Sequence, residues 1–303
     1  MDKIAFLKHS FLLYMGAGTV AVGWSVLIKK KLSQVAQFFI VSLASFFIFL
    51  AYIFWIEPNW IEVHKVKIHD PALAKSLQGV KVVQISDIHI QNGLGFREHD
   101  LIKKVNSLKP DIIFMTGDYF DDLNQLEYAK KLIHSLKAKM GIWGVPGNTD
   151  HISIENGKSI SNELTSEKVR ILVNEAERIQ TAPGKYFWIV GVDDPVYGHA
   201  KLPRAIGPVP PGEPCVLLAH SPDIFESAVR ERVNLVLVGH THGGQIGIPL
   251  LVRLSDYAYR GPYMRGFYKK GRTQLYVNRG IGMKTLPIRF LCRPEISLIE
   301  VES

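Results

Sequence analysis

Cysteine is nearly absent: the 303 residues contain only Cys215 and Cys292. Two cysteines make no disulfide framework, and nothing in their use demands an oxidising compartment. Internal repeats and low-complexity tracts are missing as well, which sets aside repeat architectures. An acidic excess is also lacking, since 36 Lys and Arg against 28 Asp and Glu leave a formal charge of +8. That balance favours anionic partners such as phosphates or lipid headgroups. Nucleic acid would fit the charge, but no recognised nucleic-acid module accompanies it, and none is expected as a partner.

Charge disappears altogether from two stretches near the N-terminus. Phe11–Ile28 is uncharged and is followed by Lys29-Lys30-Lys31; Leu32–Ile56 is uncharged again and closes on Trp55, near Glu57 and Trp60. Both are long enough to span a bilayer. The second is dense in Phe, Ile and Leu with tryptophans at its exit, the composition of a membrane helix. The first carries Gly16, Gly18 and Gly23, which suit either a close helix contact or a signal-like segment, and no small-residue cleavage site stands out. The expected organisation is a transmembrane hairpin over residues 1–56, a connector over 57–78 carrying Pro58 and Pro71, and a folded domain over 79–303. The lysine triplet would place the domain outside; Lys3 and Lys8 with Lys65, Lys67 and Lys75 would place it inside. The counts nearly cancel, and the expectation adopted is the cell inner membrane with the domain on the cytoplasmic face.

Beyond the connector, apolar runs alternate with helical patterns. Strands are expected at Val80–Ser86, Ile112–Thr116, Met140–Pro146, Tyr186–Gly191 and Pro214–Ala219, in the run beginning at Leu235, and twice within Leu275–Val301. Helices are expected at Glu98–Ser107, Gln125–Lys137, Gly157–Val169 and Pro222–Glu231, the last capped by Ser221 with Pro222 in its first turn. The proline-rich stretch Asp193–Pro214 is expected as a long loop. This alternation predicts an α/β architecture.

Five of the strands run into polar residues at their carboxyl ends. They deliver Asp87 and His89, Gly117-Asp118, Gly147-Asn148-Thr149-Asp150-His151, His220, and Gly239-His240-Thr241-His242. Ligands of open α/β sheets bind at that end, where distant loops meet, so these side chains are able to converge. Asp87, His89, Asp118, Asn148, His220, His240 and His242 form a mixed oxygen and imidazole set, suited to Mn, Fe or Zn better than to Ca or Mg. Seven donors are too many for one ion. A carboxylate bridging two divalent transition-metal ions about 3.5–4 Å apart would divide them, as in two-metal sites for in-line displacement at phosphorus.

D-x-H (Asp87, His89), G-D (Gly117, Asp118), G-N (Gly147, Asn148), His220 and G-H-x-H (Gly239, His240, His242), in this order, resemble the calcineurin-like metallophosphoesterases. The resemblance implies a β-sandwich flanked by helices. It implies one metal held by Asp87, His89 and His242, a second by Asn148, His220 and His240, and Asp118 bridging both. It also exposes a departure. The family pattern reads G-N-H-D, its histidine contacting the phosphate and assisting the leaving group, whereas this chain has Thr149 in that place. His151 is either a substitute reaching the site from a rearranged turn or an ordinary loop histidine.

The segment Arg253–Arg272 interleaves Tyr257, Tyr259, Tyr263 and Tyr268 with Arg260, Arg265, Lys269, Lys270 and Arg272, and reads as a phosphate or headgroup contact or as a solvated hairpin. The C-terminal segment Leu275–Val301, together with His240–Ile246, narrows the resemblance to a membrane-anchored branch. That branch includes bacterial phosphodiesterases and the enzyme of lipid A synthesis that hydrolyses UDP-2,3-diacylglucosamine. The resemblance thus implies a membrane-associated hydrolase of a phosphodiester or diphosphate in a lipid-linked substrate, UDP-2,3-diacylglucosamine being the most specific candidate. The alternatives are a general membrane-bound phosphodiesterase and a catalytically impaired metal-binding homologue.

Overall fold

The computed structural model describes residues 33–151, 160–166, 169–248 and 261–303. Two six-stranded mixed sheets carry the domain. The first is ordered β1 (Glu62–His69), β12 (Glu295–Glu302), β2 (Val82–Ile85), β3 (Ile112–Thr116), β4 (Gly141–Val145), β5 (Val169–Ile171). The second is ordered β10 (Gly266–Lys270), β11 (Thr273–Val277), β9 (Leu235–Val238), β8 (Cys215–Leu218), β7 (Lys185–Gly191), β6 (Glu175–Ala182).

Side-chain alternation along the central strands explains why they read as unbroken apolar runs. Ile112 and Phe114 face the second sheet, with Val216 and Leu218 in the same cluster, while Ile113 and Met115 face the other way into a cluster with Leu101, Leu132 and Ile133 of the covering helices. Both faces are buried, so polar positions are few along these runs. Helices Phe96–Leu108 and Leu126–Ser135 cover the first sheet; Leu202–Ile206 and Phe225–Arg230 cover the second. Polar side chains also cross the interior, among them Gln84, which donates to the Val238 carbonyl oxygen at 3.0 Å and ties β2 to β9.

Within the first sheet β2, β3 and β4 are parallel, and within the second β7, β8, β9 and β11 are parallel. Their carboxyl ends therefore form one rim of the sandwich. The helix Pro222–Glu231 resolves into a 3-10 turn, Pro222–Ile224, followed by Phe225–Arg230, with the Ser221 hydroxyl accepting from the Asp223 N–H. Of the expected helix Gly157–Val169 the described residues are helical over Ile160–Leu164, and Val169 instead opens β5.

Three expectations change. Residues 57–78 are no connector: β1 pairs in parallel with β12 along its whole length, and Pro71–Leu77 buries Leu73, Ala74 and Leu77 in the core between the sheets. The stretch Asp193–Pro214 contains the short helix Leu202–Ile206, which buries Leu202 and Ala205. Of the expected hairpin, the described residues hold one helix long and apolar enough to cross a membrane, running from Gln34 to Asn59. Phe11–Ile28 lies outside the described residues. No residue of Gln34–Ala51 is buried, as expected of a helix whose apolar surface faces something other than its own domain.

Candidate metal centre

The rim gathers all seven predicted donors. Asp87, His89, Asp118, His240 and His242 have left-handed backbone, with φ of 50°, 47°, 55°, 70° and 53°. Non-glycine residues adopt this conformation at a cost of about 1–3 kcal/mol each, and such strain gathers at functional sites. It turns each side chain off the end of its strand. The motif glycines make room for this: a Cβ on Gly239 would collide with the Ser86 hydroxyl and the Asp87 carboxylate, and one on Gly147 with the Asp118 carboxylate.

Two donor sets result. In the first, His89 Nε2 and His242 Nε2 are 3.1 Å apart, and Asp87 Oδ1 lies 3.5 Å from His242 Nε2. In the second, Asn148 Oδ1 is 2.9 Å from His220 Nε2 and 3.0 Å from His240 Nδ1. Asp118 Oδ2 stands between them, 3.2 Å from His89 Nε2 and 3.4 Å from His220 Nε2. Asp87, His89 and His242, and likewise Asp87, Asp118 and His220, bring buried ligand atoms close enough to share a metal ion. Two adjacent Asp and His groups of this kind fit a dinuclear centre.

The tautomers agree with that fit. His220 Nδ1 lies 2.8 Å from the Thr116 carbonyl oxygen, which only accepts, so Nδ1 carries the hydrogen and the Nε2 lone pair faces inward. His89 Nδ1 is fixed in the same way by Asp121 Oδ1 at 2.6 Å, the carboxylate–histidine support common behind metal ligands. Inward, these lone pairs meet other lone pairs, on Asp118, Asn148 and a second imidazole. Such a cluster requires a cation at its centre, either metal or proton.

Without metal, protons fill that role. Burial opposes the imidazolium at His220, but Asp118 outweighs it and drives the ring up to about 10. His89 is equally opposed by burial and is raised to about 9 by Asp118 and Asp121. Burial would likewise raise Asp118, yet His220 and His89 hold it well below the usual carboxylate range. Loading two metals at pH 7 should therefore expel about two protons, with affinity climbing as pH rises towards 9–10. Titration calorimetry in two buffers of different ionisation heat reads the release; a proton count near zero would contradict the competition. The linkage sign follows from the raised pKa values. These histidines stabilise the metal-free fold fully below their unfolded pKa of about 6.5, and that contribution is lost as pH rises through 9 and 10.

The structure separates the two acid–base candidates. Thr149 is buried; its N–H donates to Asp118 Oδ1 at 2.9 Å, and its hydroxyl has no hydrogen-bond partner among the described residues. His151 closes the same 3-10 turn but is partly exposed, with Nε2 2.6 Å from Asp193 Oδ1 and its ring 5.0 Å from that of His199. The Asp193 hydrogen bond raises its pKa.

Asp121 belongs to this centre although no sequence motif singled it out, and Asp150, the last residue of the Gly147–Asp150 motif, belongs to it in a role the motif left unassigned. Asp150 is fully buried and accepts from the N–H groups of Asp118, Tyr119 and Gly147, clamping the β3 and β4 ends together. Burial, reinforced by Asp118, pushes its carboxyl up to about 7. Asp121 follows Asp118 by three residues, a spacing that holds the only available hint. The described part of the basic tyrosine-rich stretch divides: the Met264 carbonyl accepts from the Thr241 hydroxyl in the metal-binding turn, whereas the Tyr263 hydroxyl and Lys270 Nζ both engage Glu226 of the helix Phe225–Arg230. Tyr257, Tyr259 and Arg260 lie outside the described residues.

The sequence model of the calcineurin-like phosphoesterases matches residues 80–244. The chain belongs to this family, and its buried Asp and His groups make it a metallophosphoesterase, a hydrolase of phosphoric esters. It is 32% identical to the metallophosphoesterase YkuE of Bacillus subtilis over 82% of this chain and 88% of that one. It is 30% identical to the phosphodiesterase YaeI of Escherichia coli over 82% and 92%. A bovine transmembrane protein with metallophosphoesterase domain is 32% identical over 82% of this chain and 58% of its own.

Proposed function

We propose that this protein is a membrane-anchored, two-metal phosphodiesterase acting on a lipid-borne substrate. The observation that carries the reading is Asp118 Oδ2, which faces His89 and His220 at nearly equal distances between the two donor sets. Asp87, His89 and His242 would hold one ion, Asn148, His220 and His240 the second, and Asp118 would serve both. Bound there, two divalent ions such as Mn, Fe or Zn supply Lewis-acid charge for the phosphoryl oxygens and lower the pKa of water. The helix Gln34–Asn59 is the anchor, with the domain on the cytoplasmic face of the inner membrane. The name of YaeI supports the phosphodiester, and the bovine relative supports the membrane.

Within that reading the chain's own groups divide the work. Asp121 and the Thr116 carbonyl orient His89 and His220, and Asp150 locks the turn that carries Asn148. His151, oriented by Asp193, donates a proton from its ring to the departing oxygen. A second reading is favoured by the burial of Thr149, which leaves the family's histidine position without a proton donor. A diphosphate expels a phosphate monoester that needs little protonation, so UDP-2,3-diacylglucosamine is the specific candidate under that reading.

One set of assays separates the readings. Metal-loaded full-length protein in vesicles is given an alkyl phosphodiester lipid, UDP-2,3-diacylglucosamine and soluble bis-p-nitrophenyl phosphate. If His151 is the acid, His151→Gln should lower kcat on the alkyl diester by about 10²-fold and leave the p-nitrophenyl ester far less affected. A wild-type preference for the diphosphate, with His151→Gln harmless on every substrate, would select the second reading. Absence of metal-dependent turnover on all three would refute both.

A further inference from the structure

The loop between β11 and β12 reaches in two directions. Inward, Cys292 Sγ is 3.4 Å from the His242 carbonyl oxygen, the Phe290 N–H donates to the Gln245 carbonyl, and Lys284 Nζ meets Asp121 Oδ1 at 2.9 Å. Outward, it grips the apolar helix. The Phe290 ring packs edge-on against Phe49 at 5.2 Å, the Arg289 N–H donates to the Ile53 carbonyl, and the Cys292 N–H donates to Glu57 Oε1 at 2.6 Å.

The height of this contact decides its meaning. Phe49 lies two turns before Ile56, about 10 Å along a helix rising 1.5 Å per residue. A hydrocarbon core takes about 20 helical residues, so a span starting near Gln34 reaches its boundary near Ile53. The loop at Phe290 therefore stands beside helix residues on the hydrocarbon side of that boundary. Its tips are apolar and bare: Leu286 is 54% exposed and Leu291 58%. At the level of the helix exit, Arg293 stacks over the Trp60 ring at 3.5 Å, an aromatic and cationic pair suited to the headgroup layer.

Resting on the membrane reading above, we propose that the loop Lys284–Arg293 is a second membrane contact, with Leu286 and Leu291 seated in the bilayer. It holds the metal centre at headgroup depth. The occupant of this face is the lipid bilayer itself, argued from continuity with the apolar helix that the loop grips. The consequence is a substrate class: phosphate esters whose scissile phosphorus lies at the membrane surface, taken from the lipid side without leaving the bilayer.

The test uses full-length protein in vesicles of phosphatidylethanolamine and phosphatidylglycerol. A fluorophore is attached at Leu291→Cys; both native cysteines are buried, and wild type treated alike gives the background. The expected result is quenching by a nitroxide high on the lipid acyl chain and protection from aqueous iodide. Quenching by iodide with no response to the lipid nitroxide would overturn the proposal. In a second arm, Leu286→Asp with Leu291→Asp should lower turnover of a lipid-borne phosphodiester at least about tenfold while keeping bis-p-nitrophenyl phosphate turnover within about twofold. Equal losses on both substrates, or no loss on either, would count against it. If wild type hydrolyses neither substrate, the phosphodiesterase reading fails, and the quenching result still decides where the loop lies.

Discussion

Asp118→Asn should abolish nearly all phosphodiester turnover, by about 10³-fold or more, while leaving the fold intact. Removing one preorganised polar contact to a reacting group commonly costs about 10²–10³-fold, and Asp118 serves both donor sets at once. Its Oδ2 faces His89 and His220, and its Oδ1 accepts from the Thr149 N–H. Asparagine preserves the shape and one carbonyl oxygen but removes the negative charge. That charge is what raises His89 and His220 and what would attract two cations into a buried site. Metal analysis should find about two ions per chain in the purified wild type and no more than one in the variant. The His220 and His89 rings should also titrate at lower pH in the metal-free variant, which proton NMR of the imidazoles reads directly. A variant with two metals and wild-type turnover would remove Asp118 from the bridging position.

Much of this centre is legible in the sequence because each donor sits at the end of a strand buried on both faces. Such strands announce themselves as short apolar runs, and their first polar residue marks the rim. The strands that escape notice are those at the margins. Glu62–His69 reads as a charged connector, yet only Val66 and Ile68 need burial in its second half, the remaining side chains facing solvent. Its partner, β12, lies at the opposite end of the chain, so no local pattern reveals the pairing. Glu175–Ala182, the edge of the second sheet, is similarly obscured by its glutamates and arginine. The supporting residues are hidden for another reason. Asp121 matters because the chain after β3 folds back beneath His89, and Arg289 because the long loop between β11 and β12 curls its carbonyls round to one point. These are properties of tertiary convergence, to which periodicity is blind.

Arg289 gives the largest expected effect on stability. It is fully buried, and its guanidinium donates to the carbonyl oxygens of Arg279, Gly280, Gly282 and Cys292. Burial depresses its pKa to about 10, which still leaves it charged at neutral pH. Arg289→Met keeps much of the volume but strands these buried acceptors, each of which costs about 1–3 kcal/mol when unsatisfied. Because one loop relaxes as a unit the costs will not add fully, and about 3–5 kcal/mol is expected in total. For a domain of this size that corresponds to a fall in Tm on the order of 10 °C. Arg289→Lys should rescue little, since an ammonium cannot reproduce the planar fork that reaches several carbonyls at once. The damage should also reach the metal centre. Gly280 packs against the Asp87 side chain and Gly282 against His89, so loosening this loop removes the wall behind two donors. Thermal melts with and without added metal distinguish the two effects: wild type should gain more from saturating metal than Arg289→Met does. Equal gains would show that the loop supports the fold and leaves the metal site untouched.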